Sequence, residues 1–117
     1  MPTLEQKIKS KKAVIGVVGL GYVGLPLAVE FALKGFKTIG IDVSDWKVNK
    51  VVKKGLLIAE NHFLSVPEID VIYICVPTPF TENKEPDISY IISATEAIAK
   101  ELRKDHLIIL KSTTFPN

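Results

Sequence analysis

The sequence predicts an α/β fold: a doubly wound parallel sheet of five strands with helices on both faces. Short apolar runs rich in β-branched residues alternate along the chain with segments whose apolar residues recur every three or four positions. Continuous apolar runs are typical of strands buried on both faces, as in a parallel sheet. Because parallel crossovers are right-handed, the expected strand order is 3-2-1-4-5, truncated after the fifth strand.

The elements are expected in the following order. A short leading helix lies in "TLEQKIKSKK", and the strands are expected at residues 13–18, 37–42, 56–60, 69–76 and 106–110. The first crossover helix spans Tyr22 to Lys34, with Pro26 in its first turn and Gly35 as its stop signal. The second starts at Ser44 or Asp45 and ends at Gly55, which leads directly into the third and weakest strand.

A third helix is expected after a proline-punctuated loop, with Asp87 as its N-cap. Its predicted buried face consists of Ile88, Ile91, Ile92, Ala99 and Leu102.

The composition indicates a single domain over residues 1–117. Apolar residues make up 47% and charged residues 24%, and a net charge of +2 is too small to favour nucleic acid or an anionic membrane as a partner. No apolar run approaches the roughly 18 residues of a membrane span, and the N-terminus lacks an apolar signal core. The single cysteine cannot form an internal disulfide, so a cytoplasmic location is expected.

Three glycines between the first strand and the first crossover helix predict a dinucleotide site. In "VVGLGYVG", Gly19 would allow a tight turn, Gly21 would let the backbone approach a pyrophosphate, and Gly24 would let the helix pack closely. The helix N-terminus would then present its N–H groups and positive dipole end to the phosphates. The alternative is a turn that serves helix packing alone.

Asp42 ends the second strand, 18 residues after Gly24, where a carboxylate would accept hydrogen bonds from the adenosine ribose. The same charge would repel the 2′-phosphate of NADP, so NAD is the expected cofactor. The alternative for Asp42 is an ordinary surface aspartate. Lys47 lies near enough in sequence to reach the ribose edge, or is simply a solvated helix lysine.

Polar residues also follow the fourth and fifth strands, on the edge of the sheet where ligands bind in such folds. Thr78 in "VPTP" would touch the cofactor there, and Thr113 follows the fifth strand; local turn capping is the alternative for each hydroxyl. Cys75 lies within an apolar strand and is expected to be an inert buried thiol. His62 and His106 have no partner at metal-ligand spacing.

The stretches "IGVVGLGYVGLPLAVEFALKGFKTIGIDVS", "VIYICVPTP" and "EPDISYI" together resemble the N-terminal, Rossmann-like domain of the UDP-glucose/GDP-mannose dehydrogenase family. "VPTP" followed by "EPDISY" is more similar to the UDP-N-acetylhexosamine enzymes of that family than to the UDP-glucose enzymes. The resemblance covers nearly the whole chain. The expected cofactor-binding residues are Gly19, Gly21, Tyr22, Val23, Gly24, Asp42, Lys47, Pro77, Thr78 and Thr113.

The resemblance implies oxidation of the C6 alcohol of a UDP-sugar to the carboxylate by NAD, as in polysaccharide biosynthesis. The family's cysteine, lysine and asparagine belong to later domains, so this chain has no predicted catalytic residue and is expected to bind NAD without turnover. A homo-oligomer is expected for the full-length protein. A hydroxy-acid or hydroxyacyl dehydrogenase domain and a non-enzymatic NAD-binding module stay open as alternatives.

Overall fold

The computed structural model describes residues 3–21, 23–42, 53–54, 56–75, 89–102 and 106–110. The helices are α1 (Leu4–Lys9), α2 (Gly24–Leu33) and α3 (Ser89–Ala99), with a short 3-10 helix at Val66–Glu68. The strands are β1 (Ile15–Val18), β2 (Thr38–Ile41), β3 (Lys53–Lys54), β4 (Leu57–Glu60), β5 (Val71–Ile74) and β6 (Leu107–Leu110).

The strands form one sheet in the order β3-β4-β2-β1-β5-β6. All pairings are parallel except that of β3 with β4. The five parallel strands therefore have the predicted order 3-2-1-4-5, and the predicted doubly wound class is confirmed.

The sequence prediction was wrong for β3. Residues Lys53 and Lys54 were expected at the end of a helix but form a two-residue antiparallel strand on β4. Gly55 and Leu56 separate the two strands, which is the spacing of a tight β-hairpin. A pairing with β4 therefore replaces the last predicted turn of the helix; the helix start at Ser44 or Asp45 lies outside the described residues.

Helices cover the two faces of the sheet separately. On the α2 face, Ile15 and Val17 of β1, Leu57 and Ala59 of β4, and Ala28 of α2 share one core cluster. On the other face, Val18, Ile39, Ile41, Ile72 and Ile74 pack with Ala94 and Ile98 of α3. The alternation along each strand follows from its pleat, which sends successive side chains to opposite faces.

The predicted buried face of α3 was wrong at three positions. Ile92 and Leu102 are 47% and 45% exposed, and Ala99 is also exposed. Ala94 and Ile98 are the buried residues, with Ile91 partly buried. Isoleucines on several sides of this helix make two stripes consistent with a 3.6-residue period, and only packing against the sheet selects one. The proposed N-cap, Asp87, lies outside the described residues.

The start of α1 and both ends of α2 carry local sequence signals, of which Pro26 and Gly35 in α2 were predicted. Thr3 and Gln6 form a capping box at the start of α1, in which the Gln6 backbone N–H donates to the Thr3 hydroxyl oxygen at 3.1 Å. Pro26 lies in the first turn of α2, and Gly35 follows its end with φ +97°. That left-handed conformation is the usual glycine stop signal.

Candidate cofactor site

The turn between β1 and α2 has the conformation that its first glycine permits. Gly19 has φ +97°, in the left-handed region that is strained for other residues. Its N–H donates to the Ile41 carbonyl at 2.7 Å, so the turn begins immediately past the β1–β2 pairing.

Gly24 is required by close packing within this turn. A Cβ at position 24 would overlap the carbonyl oxygen of Gly19 and would lie 3.3 Å from Cβ of Cys75. The first residue of α2 therefore sits directly against the end of β1, as the spacing of the glycines predicts.

Gly21 has no such explanation within the fold. No heavy atom of the described chain comes within 4 Å of the position that its Cβ would occupy, and its φ is not in the left-handed region. Among the described residues, nothing would obstruct a larger side chain here. The missing side chain leaves backbone exposed to an open space, which is the surface that a pyrophosphate would need.

The N-terminus of α2 faces the same space. The helix starts at Gly24, and its N-cap residue, Val23, has no side-chain oxygen with which to cap the first turn. The Leu25 N–H of the first turn donates to the Gly21 carbonyl at 3.1 Å. The other first-turn N–H groups of a helix have no intrahelical acceptor, and the helix dipole adds positive potential at this end. The turn is therefore suited to an anion.

Asp42 is joined to this turn by a hydrogen bond. The Leu20 N–H donates to Oδ2 of Asp42 at 2.8 Å, and the Asp42 N–H donates to the Glu60 carbonyl at 3.0 Å. Leu20 is held in turn over Gly40, where a Cβ would come within 2.8 Å of its Cδ2. The carboxylate predicted to bind ribose thus lies beside the turn predicted to bind phosphate.

The helices that follow β1 and β5, two neighbouring strands, lie on opposite faces of the sheet. Residues after β1 enter α2 on one face, whereas α3, which follows β5 in the chain, packs on the other. Such a switch point opens a crevice at the carboxyl ends of the strands. Cys75 directly follows β5 at this edge and is 8% exposed, with its N–H donating to the Val18 carbonyl at 2.7 Å, so the expected burial of its thiol is confirmed.

Half of the predicted cofactor contacts fall outside the described residues: Tyr22, Lys47, Pro77, Thr78 and Thr113. Of the other half, Gly19, Gly21, Gly24 and Asp42 meet at the turn described above, and Val23 packs partly buried against the α2-side core. Their contacts with a cofactor stay predictions.

The structure adds two residues that the sequence did not single out. One is Leu20, whose amide fixes Asp42. The other is Glu60 at the carboxyl end of β4, whose Oε1 is buried with no hydrogen-bond partner among the described residues. Neither follows from a motif, since the first is a backbone contact and the second depends on strand register.

The described residues contain no group of three or more histidine, cysteine or acidic side chains that could hold a metal ion. His106 Nε2 lies 3.1 Å from the Val66 carbonyl, and His62 Nδ1 accepts a hydrogen bond from the Leu64 amide at 3.3 Å. In the same part of the chain, no helix has the length and apolar character of a membrane span.

The sequence matches the model of the UDP-glucose/GDP-mannose dehydrogenase family, NAD binding domain, over residues 13–68 and 62–117. The chain belongs to this family. NAD is accordingly its cofactor, and the open backbone at Gly21, the uncapped start of α2 and the carboxylate of Asp42 fit that molecule.

Known relatives agree with the assignment. The chain is 37% identical over 118 residues to a UDP-N-acetyl-D-mannosamine dehydrogenase from Escherichia coli (strain K12) and 41% identical over 115 residues to one from Campylobacter jejuni, covering 87% and 84% of this chain. A UDP-glucose dehydrogenase structure from Pyrobaculum islandicum superposes with a TM-score of 0.77 at 30% identity, covering 86% of this chain and 29% of that one. The chain spans 28% of the length of the two bacterial relatives.

Proposed function

We propose that this chain binds NAD across the carboxyl edge of the sheet, with the pyrophosphate on the turn from Gly19 to Gly24 and the adenosine ribose on Asp42. The observation that carries the proposal is the 2.8 Å hydrogen bond from the Leu20 amide to Asp42, because it fixes both subsites relative to each other. Tyr22, Val23, Lys47, Pro77, Thr78 and Thr113 complete the proposed site.

The charge of Asp42 gives the site its preference for NAD over NADP. A carboxylate accepts hydrogen bonds from the two ribose hydroxyls, each worth roughly 1.5–3 kcal/mol for a charged acceptor. A 2′-phosphate at the same position would meet the carboxylate and would remove one hydroxyl donor. Because a carboxylate has two oxygens with two lone pairs each, it can accept from ribose while Oδ2 stays bonded to Leu20.

The activity proposed for the whole protein is oxidation of the C6 alcohol of a UDP-sugar to the carboxylate. Such a reaction consists of two successive two-electron oxidations, in which two molecules of NAD would each accept one hydride and water would supply the second carboxylate oxygen. The names of the relatives from E. coli and C. jejuni favour a UDP-N-acetylhexosamine as the substrate, and a biosynthetic, cytoplasmic role as a homo-oligomer is consistent with the proposal. The residues of this chain bind and orient the cofactor, since the buried Cys75 is poorly placed to attack a substrate.

The cofactor proposal is tested with Asp42→Ala and a matched control, Glu68→Ala, which alters an exposed acidic residue away from the turn. Calorimetric titration should show NAD affinity reduced at least about tenfold in Asp42→Ala, with NADP affinity changed much less. The control should keep the affinities of the unmodified chain. An Asp42→Ala variant that retains the full preference for NAD would contradict the role given to Asp42.

A further inference from the structure

Glu60 has a carboxylate oxygen that makes no hydrogen bond within the part of the chain that the structure describes. Its Oε1 is shielded from solvent and has no hydrogen-bond partner among the described residues. Buried polar atoms are nearly always paired, because loss of hydration without a replacement hydrogen bond is costly. An unpaired acceptor at the ligand edge of a sheet is therefore available to a donor that arrives with another molecule.

The register of the sheet places Glu60 on the strand next to Asp42, the residue proposed to bind the ribose. Glu60 pairs with Ile41, and its carbonyl accepts the Asp42 N–H at 3.0 Å, so the two acidic residues end neighbouring strands at the ligand edge. Neighbouring strands lie about 4.8 Å apart.

Glu60 and Asp42 point to different faces of that edge. Leu57 and Ala59 belong to the core on the α2 face, so Glu60, one residue further, faces the opposite side with Ile41. Asp42 contacts Leu20 on the α2 face. To reach Glu60, the base of a ligand held by its ribose at Asp42 would have to cross the sheet edge.

We propose that Glu60 is a specificity-determining residue that accepts a hydrogen bond from the exocyclic amine of adenine. This inference rests on the proposed placement of NAD and extends it to the base. Within the adenosine half of NAD, the phosphates carry no hydrogen-bond donor and the ribose hydroxyls are bound by Asp42 in the proposed placement. The adenine amine, with two N–H donors, is the donor of that half that remains for Glu60. A base with a carbonyl at that position would instead face the carboxylate with a second acceptor.

The test compares NAD with nicotinamide hypoxanthine dinucleotide, which has a carbonyl in place of that amine, carries a proton on N1 and is otherwise the same. The intact chain should bind NAD at least about tenfold more tightly. In Glu60→Gln the ratio should fall to within about twofold, because an amide can either accept from the amine or donate to the carbonyl. Asp42→Ala should weaken both dinucleotides and preserve their ratio, and Glu68→Gln should change nothing.

Thermal unfolding of the free protein provides a second readout. Since Glu60→Gln replaces a half-buried carboxylate whose Oε1 has no hydrogen-bond partner among the described residues, its melting temperature should stay the same or rise while NAD affinity falls. Equal affinity of the intact chain for both dinucleotides, or a ratio that persists in Glu60→Gln, would overturn the assignment of Glu60 and leave the NAD proposal standing. Failure of both dinucleotides to bind the intact chain would overturn both.

Discussion

Gly21→Val separates binding from folding at a single position. Because no described heavy atom lies within 4 Å of the new Cβ and φ is not left-handed, we expect the free energy of unfolding to change by no more than about 1 kcal/mol. The same side chain would occupy the space proposed for the pyrophosphate. Loss of one or two charge-assisted hydrogen bonds, at roughly 1.5–3 kcal/mol each, predicts NAD affinity reduced by at least about tenfold.

The assay combines calorimetric titration of NAD with thermal unfolding followed by circular dichroism on the same sample. Gly24→Ala is the matched comparison, since it adds a smaller side chain three residues away where a Cβ overlaps the Gly19 carbonyl. That variant should lose about 3 kcal/mol or more of stability. Full NAD affinity in a folded Gly21→Val variant would show that Gly21 is only a turn residue.

Three further predictions concern other parts of the molecule. Asp70→Ala should cost about 2–4 kcal/mol of stability in chemical denaturation, because the buried carboxylate accepts from the Val14 amide at 2.8 Å and from Lys7 at 3.1 Å; an effect below about 0.5 kcal/mol would contradict this. The chain should produce no NADH absorbance with NAD and UDP-glucose, UDP-N-acetylglucosamine or UDP-N-acetylmannosamine; turnover abolished by Cys75→Ser would show that the thiol has been misread. The uncharged β6 strand, in which Leu107 and Leu110 are 43% and 54% exposed, should promote self-association in sedimentation experiments. Leu110→Lys should reduce this self-association, and an unchanged sedimentation profile would show that β6 is not the contact.

The parallel sheet was predictable from the sequence because its strands are continuous apolar runs. The residues of β1 and nearly all of those of β5 are buried on both faces, which is typical of a parallel sheet covered by helices. The stop at Gly35 and the start of α2 near Pro26 also follow from local stereochemistry.

The two wrong predictions, for β3 and for the buried face of α3, concern segments whose local sequence is compatible with more than one structure. Lys53 and Lys54 can continue a helix or pair with an edge strand, and only the proximity of β4 decides between them. In α3, the choice of Ala94 and Ile98 over Ile92 depends on contacts with strands distant in sequence.

The candidate site likewise contains residues that local motifs predict and residues that only the alignment of distant strands brings in. The glycine spacing and Asp42 are local signals, so the sequence indicated them directly. The amide of Leu20 and the unpaired oxygen of Glu60 depend on how β1, β2 and β4 align, which no short motif encodes.

Calorimetric titration of the unmodified chain with NAD, NADP and S-adenosylmethionine tests the central claim most directly, since all three contain an adenosine ribose. The account predicts saturable binding of NAD, weaker binding of NADP and none of S-adenosylmethionine, which lacks a pyrophosphate for the turn at Gly21. Equal affinity for NAD and NADP, or tighter binding of S-adenosylmethionine than of NAD, would contradict it.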